Sequence, residues 1–181
     1  PFTSYNNRVK KHMGIAFPKK SSNEINKLVS RHWFMLGQTI GEMPHINKMI
    51  KLGVLETNGL EKIKVGPAIL VGAHMGNWEF LLRVGDLAGR RAGYVFRIET
   101  PTPQAAAVMA LKWDTPIYIV RVERFKGIRF KMTIEDKLKI PKTTDKEKAT
   151  YEITKLISSR IEEWITDKPE QWLWAHRRWG K

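Results

Sequence analysis

From Ser21 onward the apolar residues Ile25, Leu28, Val29, Met35, Leu36 and Ile40 recur at intervals of three and four, the spacing of an amphipathic helix that runs to about Ile40. Ser21 and Glu24 stand at capping-box spacing, which fixes its start. Pro44 interrupts the pattern, Ile46, Met49 and Ile50 form a short apolar turn, and Gly53 closes it. Val54 to Thr57 then reads as an edge strand, and Asn58-Gly59 as a turn. Ala68 to Val71 is a continuous apolar run between Pro67 and Gly72, as expected of a strand covered on both faces. After Gly76, the residues Trp78, Phe80, Leu81, Leu82, Val84 and Leu87 predict a helix with Asn77 as its cap and Gly89 as its stop.

The same alternation continues. Gly93 to Phe96 predicts a second short strand, and Thr102-Pro103 opens an Ala-rich helix to about Lys112. Ile117 to Val122 and Arg129 to Ile134 are β-rich runs joined through Gly127, most simply an antiparallel pair. From Asp145 to Ile165, Ala149, Ile153, Ile157, Ile161 and Trp164, with Leu156 beside them, mark a long helix that Pro169 stops. This order predicts an α/β fold: one domain, with a mixed, mainly parallel central sheet flanked by helices. The 181 residues leave little room for a second core, and 42% hydrophobic content excludes a disordered chain.

Charge narrows the partners. Lys and Arg number 32 against 18 Asp and Glu, a net charge of +14 with a pI near 10.1, so anionic partners are expected. The excess sits in the first and last thirds, while residues 61–120 are nearly neutral, as a buried centre between basic surfaces would be. With 0 Cys, disulfides, thiolate metal sites and a cysteine nucleophile are excluded. The longest apolar stretch, Ala68 to Ala73, is far shorter than the roughly 20 residues of a membrane-spanning helix. The sequence begins at Pro1, and Arg8, Lys10 and Lys11 are not followed by a signal-peptide core, as in a trimmed start.

Candidate chemistry concentrates in Gly72-Ala73-His74-Met75-Gly76-Asn77-Trp78-Glu79. His74 follows the predicted buried strand and precedes a helix, the place where α/β sheets put ligands. Gly72 and Gly76 would let a substrate approach the backbone closely. Glu79, in the first helical turn, would reach back to one imidazole nitrogen, fix the tautomer and leave the other nitrogen as a base for a hydroxyl. The plainer reading of the same residues is a helix cap beside a satisfied loop histidine.

This stretch, together with Pro169-Glu170-Gln171-Trp172-Leu173-Trp174-Ala175-His176-Arg177-Arg178-Trp179, resembles the late acyltransferases of bacterial lipid A biosynthesis, the lauroyl and myristoyl transferases. The segment from Arg8 to Pro18 and that from Thr102 through Val122 to Arg124 extend the likeness over most of the chain. The resemblance implies a glycerolipid acyltransferase-like fold. It also implies transfer of a fatty acyl group from acyl carrier protein thioester to a hydroxyl of an acyl chain on a lipid A precursor. His74 would be the general base and Glu79 its partner, with Asn77 or nearby backbone N–H groups stabilising the oxyanion. Neither a metal nor a cofactor is implied, the acyl thioester being a co-substrate. The implied setting is the cytoplasmic face of the inner membrane, with an amino-terminal anchor that this sequence lacks. The family carries a further segment where this chain passes directly from Arg97 to Ile98, so either a deletion or a break is expected there. Arg97 matches the family's arginine near the active site.

Arg177 and Arg178 have a chemistry of their own: planar guanidinium groups suit the phosphates of an acceptor, and Trp172, Trp174 and Trp179 beside them suit the boundary of an anionic membrane. A basic tail packed by core tryptophans is the alternative. Arg121, Arg124 and Arg129 are expected on a solvated strand face, and His12, His32 and His45 as ordinary surface or core residues. Two other functions compete. A glycerophospholipid or lysophospholipid acyltransferase would keep the reaction and change the acceptor. A nucleic-acid-binding domain would share the basic pI and the Trp–Arg interleaving, yet no zinc spacing, ribonucleoprotein motif or helix-turn-helix pattern accompanies them.

Overall fold

The structure is a computed structural model and describes residues 2–63, 65–91, 104–140 and 143–176. Its helices are α1 (Phe2–Ala16), α2 (Ser22–Glu42), α3 (Ile46–Lys51), α4 (Val84–Leu87), α5 (Ala105–Trp113) and α6 (Lys146–Asp167). Its strands are β1 (Leu55–Asn58), β2 (Ile69–Gly72), β3 (Ile117–Lys126) and β4 (Arg129–Lys137). The strands form one sheet in the order β1-β4-β3-β2, with β1 parallel to β4, β2 parallel to β3, and β3 antiparallel to β4. The predicted α/β class and mainly parallel mixed sheet are therefore present. The strand expected at Gly93 to Phe96 and the junction of Arg97 and Ile98 lie outside the described residues.

Alternation along β3 divides the interior in two. Ile117 and Ile119 pack with Ala107 and Ala110 of α5 and with Ile153, Ile157 and Trp164 of α6. Val120 and Val122 face the other way, onto Ile46, Met49, Phe80, Val84, Phe130 and Met132. A third cluster closes one end of the molecule, where Val9 and Met13 of α1 and Ile25 and Val29 of α2 surround Trp172 and Trp174. No described helix is long and apolar enough to cross a membrane.

The starts predicted for α2 and α6 are observed, each with a cap. Ser21 and Glu24 make the full capping box, with Glu24 Oε2 accepting from the Ser21 backbone N–H at 2.8 Å. Asp145 Oδ1 accepts from Glu147 and Lys148 N–H groups, each at 3.0 Å, and starts α6. One expectation changes. The segment after Asn77 is a 3-10 helix over Trp78–Arg83 that leads into the short α4, not one α-helix. A six-residue segment holds too few repeats of its apolar positions for the pattern alone to separate a 3-10 helix from an α-helix. The amino-terminal segment, matched above without an assigned conformation, is the 15-residue helix α1.

Candidate active site

β2 ends at Gly72, and the chain turns sharply, Met75 N–H donating to Ala73 O at 2.7 Å. Gly76 has φ +60°, and a Cβ there would stand 2.6 Å from the Val122 carbonyl oxygen. At Gly72 a Cβ would meet the Leu81 side chain at 2.5 Å. The two glycines thus serve the packing of the turn against β3 and the 3-10 segment. Asn77 caps the 3-10 helix, its Oδ1 accepting from Glu79 N–H at 3.2 Å.

The second motif lies against the first. Met75 and Trp172 form an antiparallel bridge, Gly76 N–H donates to Gln171 O at 3.1 Å, and Leu173 N–H donates to His74 O at 2.9 Å. Residues about a hundred positions apart therefore share one edge of backbone, and the side chains that follow converge. The His74 ring lies edge-on to Trp78 at 5.4 Å between centroids and 5.1 Å from the ring of His176. His74 keeps part of its surface exposed, but the crowding rings still strip water from it. This desolvation, followed by repulsion from His176, lowers its pKa below the usual histidine value. A neutral imidazole at pH 7 is the form a general base needs. Glu79 is half-buried on the same short turn, and among the described residues no hydrogen bond joins its carboxylate to His74.

The remaining expected site residues separate into two groups. Asn77 is fully buried, its amide nitrogen donating to Glu42 Oε2 at 3.0 Å and its oxygen already used in the cap. Arg97, Arg177 and Arg178 lie outside the described residues. Trp172 and Trp174 are core residues, 6% and 1% exposed, so the reading that placed them at a membrane boundary is corrected. Trp174 is held by its indole N–H on Pro169 O at 2.6 Å and by Phe17 at 5.8 Å between rings. From α1, His12 Nδ1 lies 3.0 Å from Trp174 O, and Arg8 Nη1 donates to Ala175 O at 3.1 Å. Among the described residues, no three His, Asp or Glu side chains gather in a metal-holding group.

Sequence reasoning missed a set of polar residues beneath the site. Arg124 is 6% exposed and pairs with Glu42, so it does not lie on a solvated strand face as expected. Two signals were available. Arg124 has the same parity as Val120 and Val122, the inward face of β3, and Glu42 ends α2, where the helix dipole disfavours an unpartnered carboxylate. Arg129, by contrast, is exposed, with Glu56 3.9 Å away, as a solvated face predicts. Arg121 bonds Asp167 at 2.7 Å and Glu123 at 2.8 Å.

The family comparison decides what this arrangement belongs to. The family described as bacterial lipid A biosynthesis acyltransferase matches residues 2–101 and 93–181. The chain belongs to that family. It is therefore an acyltransferase of lipid A biosynthesis, and the two motifs that meet at His74 lie in separate stretches of the match. Comparison with curated individual proteins gives no match.

His32 of this acyltransferase, a residue with no partner pattern in the sequence, packs beneath the second motif and is 2% exposed. Burial pushes its pKa down to about 4, against a smaller upward pull from backbone hydrogen bonding at Trp172 and Glu170. The unfolded chain would bind this proton near pH 6.5, the folded one only near 4, so stability is full above pH 6.5 and falls as pH drops towards 4. The loss is expected to reach roughly 3 kcal/mol, because every tenfold weakening of proton binding by the folded chain is worth about 1.4 kcal/mol. Melting curves between pH 7 and pH 4 on the parent and on His32→Gln check it. The parent should lose more of its melting temperature than the variant, and equal slopes would assign the acid sensitivity elsewhere.

Proposed function

We propose that this acyltransferase moves a fatty acyl group from an acyl carrier protein thioester to a hydroxyl of an acyl chain on a lipid A precursor. The observation that supports this most directly is the convergence of the two motifs, with His74 between Trp78 and His176 at the carboxyl end of β2. In this reading His74 removes the hydroxyl proton as that oxygen attacks the thioester carbonyl. The carbon–sulfur bond then breaks, and the proton passes from His74 to the departing thiolate. Glu79 stabilises the imidazolium that forms between these events, and its hydrogen bond to His74 closes when acceptor fills the crevice, since such bonds are often open in empty sites. Asn77 keeps the turn in shape, and the developing oxyanion is met by backbone N–H groups of that turn other than those of Met75, Gly76 and Glu79, which bond within the fold.

By resemblance, Arg97, Arg177 and Arg178 bind phosphates of the acceptor, the protein works at the cytoplasmic face of the inner membrane, and no cofactor takes part. The net charge of +14 suits both an acidic carrier protein and an anionic membrane surface. The family match runs in two stretches that overlap over residues 93–101, the place where a deletion or a break is expected.

The test is mass spectrometry of lipid A from cells without their own late acyltransferases, with this protein or its His74→Ala variant supplied. One added acyl mass that depends on His74 is expected, and its value gives the chain length. Unchanged lipid A with altered phospholipid acyl composition would move the assignment to a lysophospholipid acceptor. No change in either lipid would remove the proposal.

A further inference from the structure

Glu42, Arg124, Asn77 and Gln171 come from four separate parts of the chain and form a closed circuit below His74. Arg124 grips Glu42 with two parallel bonds, Nη1 to Oε1 at 2.7 Å and Nη2 to Oε2 at 2.6 Å. Its Nη1 also donates to Gly127 O at 2.9 Å, and its guanidinium lies 4.4 Å from the centre of the Phe130 ring. Glu42 Oε2 accepts in addition from Asn77 Nδ2. On the other side, the Arg124 backbone exchanges two bonds with the Gln171 side chain, N–H to Oε1 at 2.9 Å and Nε2–H to O at 2.8 Å. The Gln171 backbone oxygen takes the Gly76 N–H, one residue from Asn77, and completes the circuit. Thr39, one helical turn before Glu42, donates its hydroxyl to Gly76 O at 3.1 Å.

Such an arrangement is costly as a source of stability alone. Two charges taken out of water recover their solvation only when the geometry is excellent, and apolar side chains of the same volume often serve a core as well or better. The carboxylate also sits at the end of α2 that least favours it. What the circuit does supply is register. It ties both motif segments, 74–79 and 171–176, to α2 and to the β3–β4 turn through bonds whose directions are fixed. Lys could not reproduce the two-pronged grip.

We propose that the Glu42–Arg124 pair is the positioning device of the active site, holding Asn77 and Gln171 so that the His74 turn and the His176 segment keep one relative placement. Neither residue touches substrate. The proposal rests on the reading of residues 74–79 as the reacting segment, and its test has one arm that does not.

Three forms of the whole protein are compared: parent, Arg124→Lys, and the double variant Glu42→Met with Arg124→Met, in which apolar packing beside Phe130 replaces the pair. The first arm is amide hydrogen exchange. In Arg124→Lys, amides of residues 76–80 and 171–174 should exchange at least tenfold faster, while those of β4 and α6 stay within twofold of the parent. The second arm is acyl transfer from an acyl carrier protein thioester to a lipid A precursor, expected to show kcat lower by tenfold or more with KM within twofold. The double variant should recover the parental melting temperature and leave kcat low, because packing is restored and direction is not.

A double variant with parental kcat, or a uniform rise in exchange across the fold of Arg124→Lys, would reduce the pair to packing. If the double variant does not fold, Arg124→Lys decides alone on both arms. If the parent transfers no acyl group, the functional reading fails and the exchange arm still judges the clamp: faster exchange confined to the two segments supports it, and unchanged exchange overturns it.

Discussion

Replacing His74 by Ala is expected to slow acyl transfer by about 10² to 10⁴, equivalent to roughly 3 to 5 kcal/mol of barrier, with hardly any change in melting temperature. The two halves of that statement have separate grounds. The ring is exposed beyond the end of β2, beside Trp78 and His176, and belongs to none of the three buried clusters. Substitutions at such positions usually alter stability by less than about 0.5 kcal/mol. Loss of a positioned base, by contrast, leaves the hydroxyl proton to water. Glu79→Gln should lose less than His74→Ala, since an amide can hold the ring but cannot stabilise the imidazolium. The pH dependence has a defined sign. Burial and the neighbouring His176 lower the His74 pKa, so the active neutral form persists below the ordinary histidine value, and the acid limb of kcat/KM should fall there rather than at pH 6.5. Single-turnover transfer by folded protein, measured beside a melt, checks both halves. Near-parental transfer by a folded His74→Ala protein would mean that the imidazole is part of the turn and not of the chemistry.

How far the sequence reaches is visible in which of these residues it exposes. Periodicity and caps locate α2 and α6, because Ser21, Glu24 and Asp145 act within a few residues of the groups they bond. The strands are legible for a similar reason, since β-branched runs between turn residues need no distant partner to be recognised. α1 is different. Its buried stripe is thin, with Val9 and Met13 accompanied by His12, and its inner face is completed by polar bonds from Arg8 and His12 to backbone oxygens of residues 174 and 175. A helix that docks through polar groups onto a segment over 160 positions away leaves only a weak apolar period. The motif residues themselves were readable, yet their meeting was not. The backbone bonds from Gly76 and to His74 O, the Met75–Trp172 bridge and the His74–His176 ring contact bring the two motifs together. The charged layer beneath it is harder to read, because a charged residue in a strand is ordinarily solvated and Arg124 is buried. Parity along β3 gives Arg124 as inward-facing, and the partner that makes this tolerable, Glu42, is 82 positions earlier.

That dependence of the site on remote packing leads to the largest stability effect expected. Trp174→Ala should destabilise the fold by about 3 to 5 kcal/mol, the usual range for deleting a buried tryptophan. For a chain of this length, each kcal/mol moves the melting temperature by about 2 to 4 °C, so a fall on the order of 10 °C or more is expected. The side chain is 1% exposed and joins Val9, Met13, Ile25 and Val29 with Trp172 in the end cluster, so its removal leaves a cavity that α1 and α2 together enclose. It also frees Pro169 O from the indole N–H. Trp174→Phe keeps most of the apolar volume and loses this hydrogen bond, and should cost less than half as much. The effect should reach the chemistry as well, because His176 follows Trp174 by two residues and His74 is bonded to Leu173 beside it. Transfer measured well below the melting temperature of Trp174→Ala should therefore fall even though every residue of the motif around His74 is intact. If the variant melts within about 3 °C of the parent, the end cluster is looser than its burial implies. If it melts early but transfers at the parental rate, the carboxyl-terminal segment keeps its place against His74 through its backbone bonds alone.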